Sequence, residues 1–435
     1  MKKFTHVFLM LFLLLVVAEA GMASDSILIK NGTIVPIKGG SNMVGDLLIE
    51  NGKISQIGKN IKAPTGAEVI DASGKFVYPG LVAVMTAIGV TGYPRAGNDT
   101  DEVGTSTPQM DPYDAINPED DCIEVTRMGG VTTVQTISGS RSVINGKSVV
   151  MHLGGTLAED MIARRYVAQI FNMGATEQNK YPSTRPGVVS YLKTKLNQAK
   201  DFAKKQNEKD QKSEKGKKSE NDKEDFSKRD LAMEALVPVV TGKIPALFIT
   251  NNEVTIRNAL AIIEEYKLKG IIRAGSGILK YADRIAKANI PVIWAGTESV
   301  PQRWESHDLN FHTAAVLAKK GVLFTFDSGG YGPGSRNVRN ITTPAIISVA
   351  HGLSEKHALE ALTINPAKIL GIVDEVGSLE KGKIANVVIW TGSPIQGRSR
   401  VETVIIKGKL IPMTSFQTRL FKKFKKIVGE RMKKK

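Results

Sequence analysis

Histidine, cysteine and the carboxylates carry most hydrolytic and metal chemistry, and this chain is poor in the first two. It has six His and one Cys in 435 residues. No His-x-His or His-Glu-x-x-His pattern occurs, and a lone Cys122 forms neither a metal pair nor a disulfide. His307 and His312 are five apart, roughly 140° around a helix, and His351 and His357 are six apart. Each reads as a structural or surface His. A metal site gathered from distant loops would draw on His152, Asp327 and the acids Asp99, Asp101 and Glu102. Those acids, with Asp111 and Asp114, make an acidic loop that suits a cationic group, a hard cation or plain solvation. Residues 328–336 hold four glycines and end in Arg336, with Arg339 beyond. Such a segment can cradle an anion or serve as a lid. Lys147, in Ile144-Asn145-Gly146-Lys147-Ser148, reads as an exposed hairpin-turn lysine, and Cys122 as a small buried apolar residue.

The elements that must position these residues follow from hydrophobic patterning. Asn31-Gly32 and Asn51-Gly52 each separate alternating apolar runs, which predicts two hairpins with type I′ turns. A related pattern returns around Gly408. Similar strands at both ends predict one small β-domain built from residues 24–78 and 373–415. Between them, short β-branched runs at 132–137, 246–250, 270–274, 291–295 and 322–327 alternate with helical patterns at 254–266, 278–288, 310–319 and 343–350. That alternation predicts a parallel sheet in an α/β fold, and the length favours a (β/α) barrel over an open sheet for residues 79–372.

Three segments stand outside this frame. Lys2 and Lys3 precede an apolar run over residues 7–17, and small residues follow, so 1–23 reads as a secretory signal peptide and the protein as periplasmic. Residues 204–229 form a charged low-complexity insert, too polar to bury a core. Residues 416–435 form a basic amphipathic tail, which either docks its apolar side on the protein or lies on an anionic membrane. The formal charge is +16, but nine Lys/Arg against one Glu lie in 418–435. The folded body is only mildly basic and shows no nucleic-acid motif.

Pro79-Gly80-Leu81 opens an apolar strand that runs to Gly89. Near the C-terminus come Gly377-Ser378-Leu379-Glu380-Lys381-Gly382-Lys383-Ile384-Ala385-Asn386 and, upstream, Thr363-Ile364-Asn365-Pro366-Ala367 before Leu370-Gly371. These blocks resemble the amidohydrolase superfamily's PGLIDxHxHIG, GSLExGKxAD and TxNPAxxLG, closest to its secreted imidazolonepropionase-like bacterial branch. The resemblance implies a metal-dependent hydrolase of C–N bonds on a (β/α)8 TIM-like barrel, with a small β-sandwich domain formed from both terminal segments. It also implies two His on the first strand, one on each of two later strands, and an Asp on the last.

Carried over position by position, the first-strand pair falls on Met85 and Ala87. The later His positions fall on Ile249 and on Ala274, or on Arg273 if the register slips by one. Only the acid remains, as Asp327. A carboxylate near pKa 4 is a weak base toward water without a metal that brings bound water to about 7. The expectation is therefore an eroded metal site with no cofactor, and a weak, altered or non-catalytic protein that binds a small amide- or peptide-like ligand. Asp327 is the candidate catalytic group, and Arg273, Glu298, Arg303 and Arg336 are the candidate ligand-binding residues. A homo-oligomer, or pairing with an active amidohydrolase, fits such a protein. The alternatives are a working enzyme with a zinc-like divalent metal in an unusual site, or a membrane-surface structural protein.

Overall fold

The computed structural model describes residues 26–92, 97–100, 102–176, 180–214, 229–299, 301, 304–329 and 332–432. The leader expected at 1–23, Asp101, Arg303, Tyr331 and most of the charged insert lie outside the described residues.

The chain opens with β1 (Ser26–Ile34), β2 (Met43–Glu50), β3 (Lys53–Gly58), β4 (Glu68–Asp71) and β5 (Phe76–Pro79). The next strands are β6 (Leu81–Thr86), β7 (Val131–Ile137), β8 (Ile144–His152), β9 (Ile162–Arg164) and β10 (Gln169–Asn172). There follow β11 (Ala246–Ile249), β12 (Gly270–Ala274), β13 (Val292–Trp294) and β14 (Phe324–Phe326). The last three are β15 (Val387–Trp390), β16 (Val401–Ile406) and β17 (Lys409–Ile411).

One sheet runs β17-β16-β15-β5-β1-β2-β3, with β4 beside β1. It joins strands from both ends of the chain around its own core of Ile29, Leu47, Ile49, Val77, Val387 and Ile405. Two of its turns follow the local chemistry. Asn51-Gly52 and Lys407-Gly408 both take positive φ at each residue, 51° with 75° and 52° with 75°, as a two-residue type I′ link requires. Asn31-Gly32 corrects the hairpin expectation. β1 runs straight through it, with a register shift against β2 between Ile29 and Gly32 and Asn31 at φ 58°. The Asp46 carboxylate accepts from Asn31 N at 3.0 Å, which holds the irregularity. A Cβ on Gly32 would lie 2.7 Å from Val77, so the strand must come close there.

The second sheet runs β6-β7-β8-β10-β11-β12-β13-β14. An isolated parallel bridge between Val84 and Asp327 joins its two edges. Ser328 Oγ adds a hydrogen bond to Val84 O at 2.7 Å, so the strands come round into a barrel. The expectation of a purely parallel sheet needs correcting at β8, which is antiparallel to both β7 and β10. Only residues 138–143 connect β7 to β8. That is enough for an antiparallel return and too little for a crossover helix. Lys147 accordingly sits inside β8 and is buried, not exposed in a hairpin turn, with Nζ 3.7 Å from the Tyr166 ring centre.

Period-2 alternation divides each barrel strand between two cores. Val82, Val84, Val150, Leu247, Ile249 and Ile271 meet in the lumen, floored by Ala367, Ile369 and Leu370. Val134, Val149, Phe248, Ile272, Ala274 and Phe326 face the surrounding helices. The helix Glu253–Tyr266 shows why such segments are helical. Asn252 and Thr255 make a reciprocal capping box, and Ile256, Ala259, Leu260 and Ile263 repeat on the buried face.

Candidate functional site

Barrel sites are built where strands end, on the loops that follow them. Five strand ends meet the candidate positions here. On β12, Ile271 lies in the lumen core, and alternation puts Arg273 on the same face. Ala274 packs outward against the helices. The lumen-facing position is therefore Arg273, and Ala274 is corrected to an outer-core residue.

Arg273 meets Asp327, the residue just beyond β14. Arg273 Nε donates to Asp327 Oδ2 at 2.9 Å, and Nη2 lies 2.7 Å from the same oxygen. The other carboxylate oxygen accepts Gly329 N at 3.1 Å. The two side chains are only 12% and 3% exposed. Asn251, in the loop after β11, accepts from Arg273 Nη1 at 3.3 Å. Asn251 was not among the residues singled out from sequence. Its place, two residues past Ile249 at a strand end, was the available signal. The Asp327 backbone is fixed by its N–H on Trp294 O at 2.9 Å.

Met85 ends the first barrel strand in the left-handed region, at φ 56°. For a non-glycine this costs about 1 kcal/mol or more and persists only where packing demands it. Met85 is fully buried in the lumen core, and its N–H donates to Gln135 Oε1 at 3.3 Å. Ala87 is buried too, and its carbonyl accepts from Thr91.

Of the remaining candidates, Glu298 does not join this pair among the described residues. Glu298, in the loop after β13, is solvent-exposed at its surface and makes no hydrogen bond or ion pair among the described residues. Desolvation by the adjacent chain still pushes its carboxyl above the usual range. The backbone of Arg336 lies in the 3-10 segment Gly332–Asn340. Arg303 is outside the described residues. The acidic loop borders an open cleft of about 530 Å³ lined by Asp99, Asp111, Asp114 and Ser138. Its charge is partly cancelled: Arg165 pairs with Asp111 at 2.5 Å, and Arg141 with Glu102 at 3.2 Å.

His152 sits at the far end of β8 and takes no part in the mouth. Asn386 Oδ1 accepts from Lys407 N at 2.9 Å, so its amide nitrogen faces His152 Nδ1, 3.1 Å away, and donates to it. The proton of the neutral ring then sits on Nε2, which has no partner among the described residues. Burial, helped by nearby Lys407, depresses its pKa to about 4. The loop-built metal site of His152, Asp327 and the acids is thus not assembled.

The family resemblance implies a divalent metal at this mouth, and the side chains present do not fit one. A guanidinium already lies against the Asp327 carboxylate, where a divalent cation would be repelled by roughly 2–8 kcal/mol at 4 Å. Met85 and Ile249 offer no hard donor. Among the described residues no group of three His, Cys, Asp or Glu is placed to hold a metal.

The comparisons agree with this architecture. A family model described as "Amidohydrolase family" matches residues 215–411. A crystal structure of an amidohydrolase from Thermotoga maritima MSB8 is 30% identical, with a TM-score of 0.79. The match covers 88% of this chain and 99% of that one. The chain belongs to the amidohydrolase family. Among curated proteins, the amidohydrolase tasK of Hapsidospora irregularis is 22% identical over 382 residues, 81% of this chain but 38% of its own length. A dihydroorotase of Geobacter metallireducens is 46% identical over 57 residues, 13% of each protein. The chain therefore spans well under two thirds of these two relatives. A prolidase solved with N-methylphosphonate-L-proline is 14% identical at a TM-score of 0.56, which is a likeness of fold alone.

Proposed function

We propose that this amidohydrolase-family protein binds a small amide- or peptide-like ligand at the Arg273–Asp327 pair, and that metal-dependent hydrolysis there is weak or lost. The observation that carries the reading is the ion pair itself. It occupies the lumen mouth where the family resemblance puts metal ligands. Two of the guanidinium's nitrogens are turned to Asp327 and a third to Asn251. A ligand carboxylate or amide carbonyl entering the mouth would compete for those donors, and Asp327 could accept an amide N–H. Asp327, Arg273, Glu298, Arg303 and Arg336 remain the residues proposed to act on a ligand. The basic start and apolar run of residues 1–23 support export to the periplasm. The resemblance of the C-terminal blocks supports the imidazolonepropionase-like branch.

Isothermal titration with N-acetyl amino acids and dipeptides tests the binding reading. Saturable heat that disappears in Arg273→Gln, with the variant's fold unchanged by circular dichroism, is the expected result. Equal binding by the variant would remove the pair from the site. The second reading, a working metal hydrolase, draws on the Thermotoga maritima amidohydrolase's 30% identity across nearly the whole fold.

A further inference from the structure

The described chain ends in a helix, Phe416–Met432, that the barrel does not use. It starts from a reciprocal cap: Ser415 N donates to Thr418 Oγ1 at 2.8 Å, and Thr418 N to Ser415 Oγ at 3.3 Å. Its first turns are tied to the body by Arg419, which grips both oxygens of Glu124 at 3.0 and 2.9 Å. Phe416, Leu420 and Ile427 are half-buried. The expected docking of the apolar side goes no further. Phe421 is 67% exposed, Phe424 55% and Val428 53%.

Those three side chains fall within about 60° of one another around the helix, so they form one stripe. Lys425 lies about 70° from the centre of that stripe, Lys422 and Lys423 about 130° to either side of it, and Lys426 nearly opposite; all four are exposed. No acidic residue occurs from 416 to 429, and Lys433, Lys434 and Lys435 follow in the sequence. An exposed aromatic stripe beside an uninterrupted run of cations is the composition of a helix that lies in a lipid interface. The rings sink to the acyl boundary and the lysines meet anionic headgroups. Long lysine stems can reach past the rings to the headgroup level, and Lys425 already arches over Phe421, with Nζ 5.8 Å from its ring centre. No described helix is long and apolar enough to cross a membrane, so contact would be in the plane of the surface.

We infer that this helix seats the protein on an anionic bilayer, with Phe421, Phe424 and Val428 inserted, Lys425 at the headgroups beside them and the other lysines adding positive charge near the surface. The inference is independent of what the barrel mouth binds. Charge complementarity selects the lipid over a second copy, whose identical lysines would face these.

Flotation of the full chain with phosphatidylglycerol vesicles, against phosphatidylcholine vesicles at equal lipid, tests it. Wild type should float with the anionic vesicles and at least tenfold less with the neutral ones. Phe421→Ser with Phe424→Ser should lower anionic binding at least tenfold at an unchanged melting temperature, since both side chains are exposed. Equal flotation of this variant would overturn the proposal, as would wild type that stays with neither vesicle. So would sedimentation showing a wild-type dimer that the two substitutions convert to monomer, because the stripe would then belong to a second copy. Reversal of Lys422, Lys423, Lys425 and Lys426 to Glu should abolish the preference for anionic lipid, and a preference that survives would also overturn it.

Discussion

At the scale of single residues, the Arg273–Asp327 ion pair sets what the barrel mouth can hold. Arg273 and Asp327 are nearly out of solvent and meet at 2.7 Å. Breaking a buried pair from one side typically costs about 3–5 kcal/mol, because the remaining charge has lost its partner. Arg273→Met should therefore lose about 3 kcal/mol in urea unfolding. Arg273→Met combined with Asp327→Leu should lose less than the single change, since no charge is then left alone in the lumen. A single variant as stable as wild type would show that solvent reaches the pair freely. Asp327 was legible as the acid closing the last barrel strand. Arg273 was legible only as one of two registers, because a strand's period of two cannot say which face is the lumen until its neighbours are paired.

At the scale of elements, the same dipeptide behaved in two ways. Asn51-Gly52 is a hairpin turn, and Asn31-Gly32 is a bulge inside a continuous strand. Both look alike in sequence. The difference lies in Asp46 and Val77, which reach position 31–32 only after the sheet has formed. β8 was missed altogether, because Asn145-Gly146 near its start looks like a hairpin turn and lies instead inside the strand. The strand-helix alternation and the two-ended sheet were visible because they rest on repeating apolar patterns. β8 also carries a seam between the barrel and the terminal sheet, through His152 on Asn386. Its folded pKa of about 4 lies below the unfolded value of about 6.5. Between these values the unfolded chain binds a proton that the folded chain refuses, so stability falls as pH drops from about 6.5 to about 4. The full effect is about 3 kcal/mol. His152→Gln should flatten the stability profile in that window relative to wild type, measured by urea unfolding at pH 4.5 and 7. An unchanged slope would place the titration elsewhere.

At the scale of the whole molecule, the chain keeps the family's frame around a lumen mouth that holds an ion pair. The Pro79-Gly80-Leu81 strand, the terminal sheet and the C-terminal blocks maintain the barrel, and they are mainly structural. Met85, Ala87, Ile249 and Arg273 stand at the strand ends where the chemistry of the family would be set. Metal content decides between a ligand-binding barrel and a working hydrolase. The purified full chain, equilibrated with zinc, manganese or ferrous iron and then desalted, should retain far less than one metal per chain, and Asp327→Asn should retain the same small amount. One tightly held metal per chain, lost in Asp327→Asn together with hydrolysis of an amide substrate, would contradict the account.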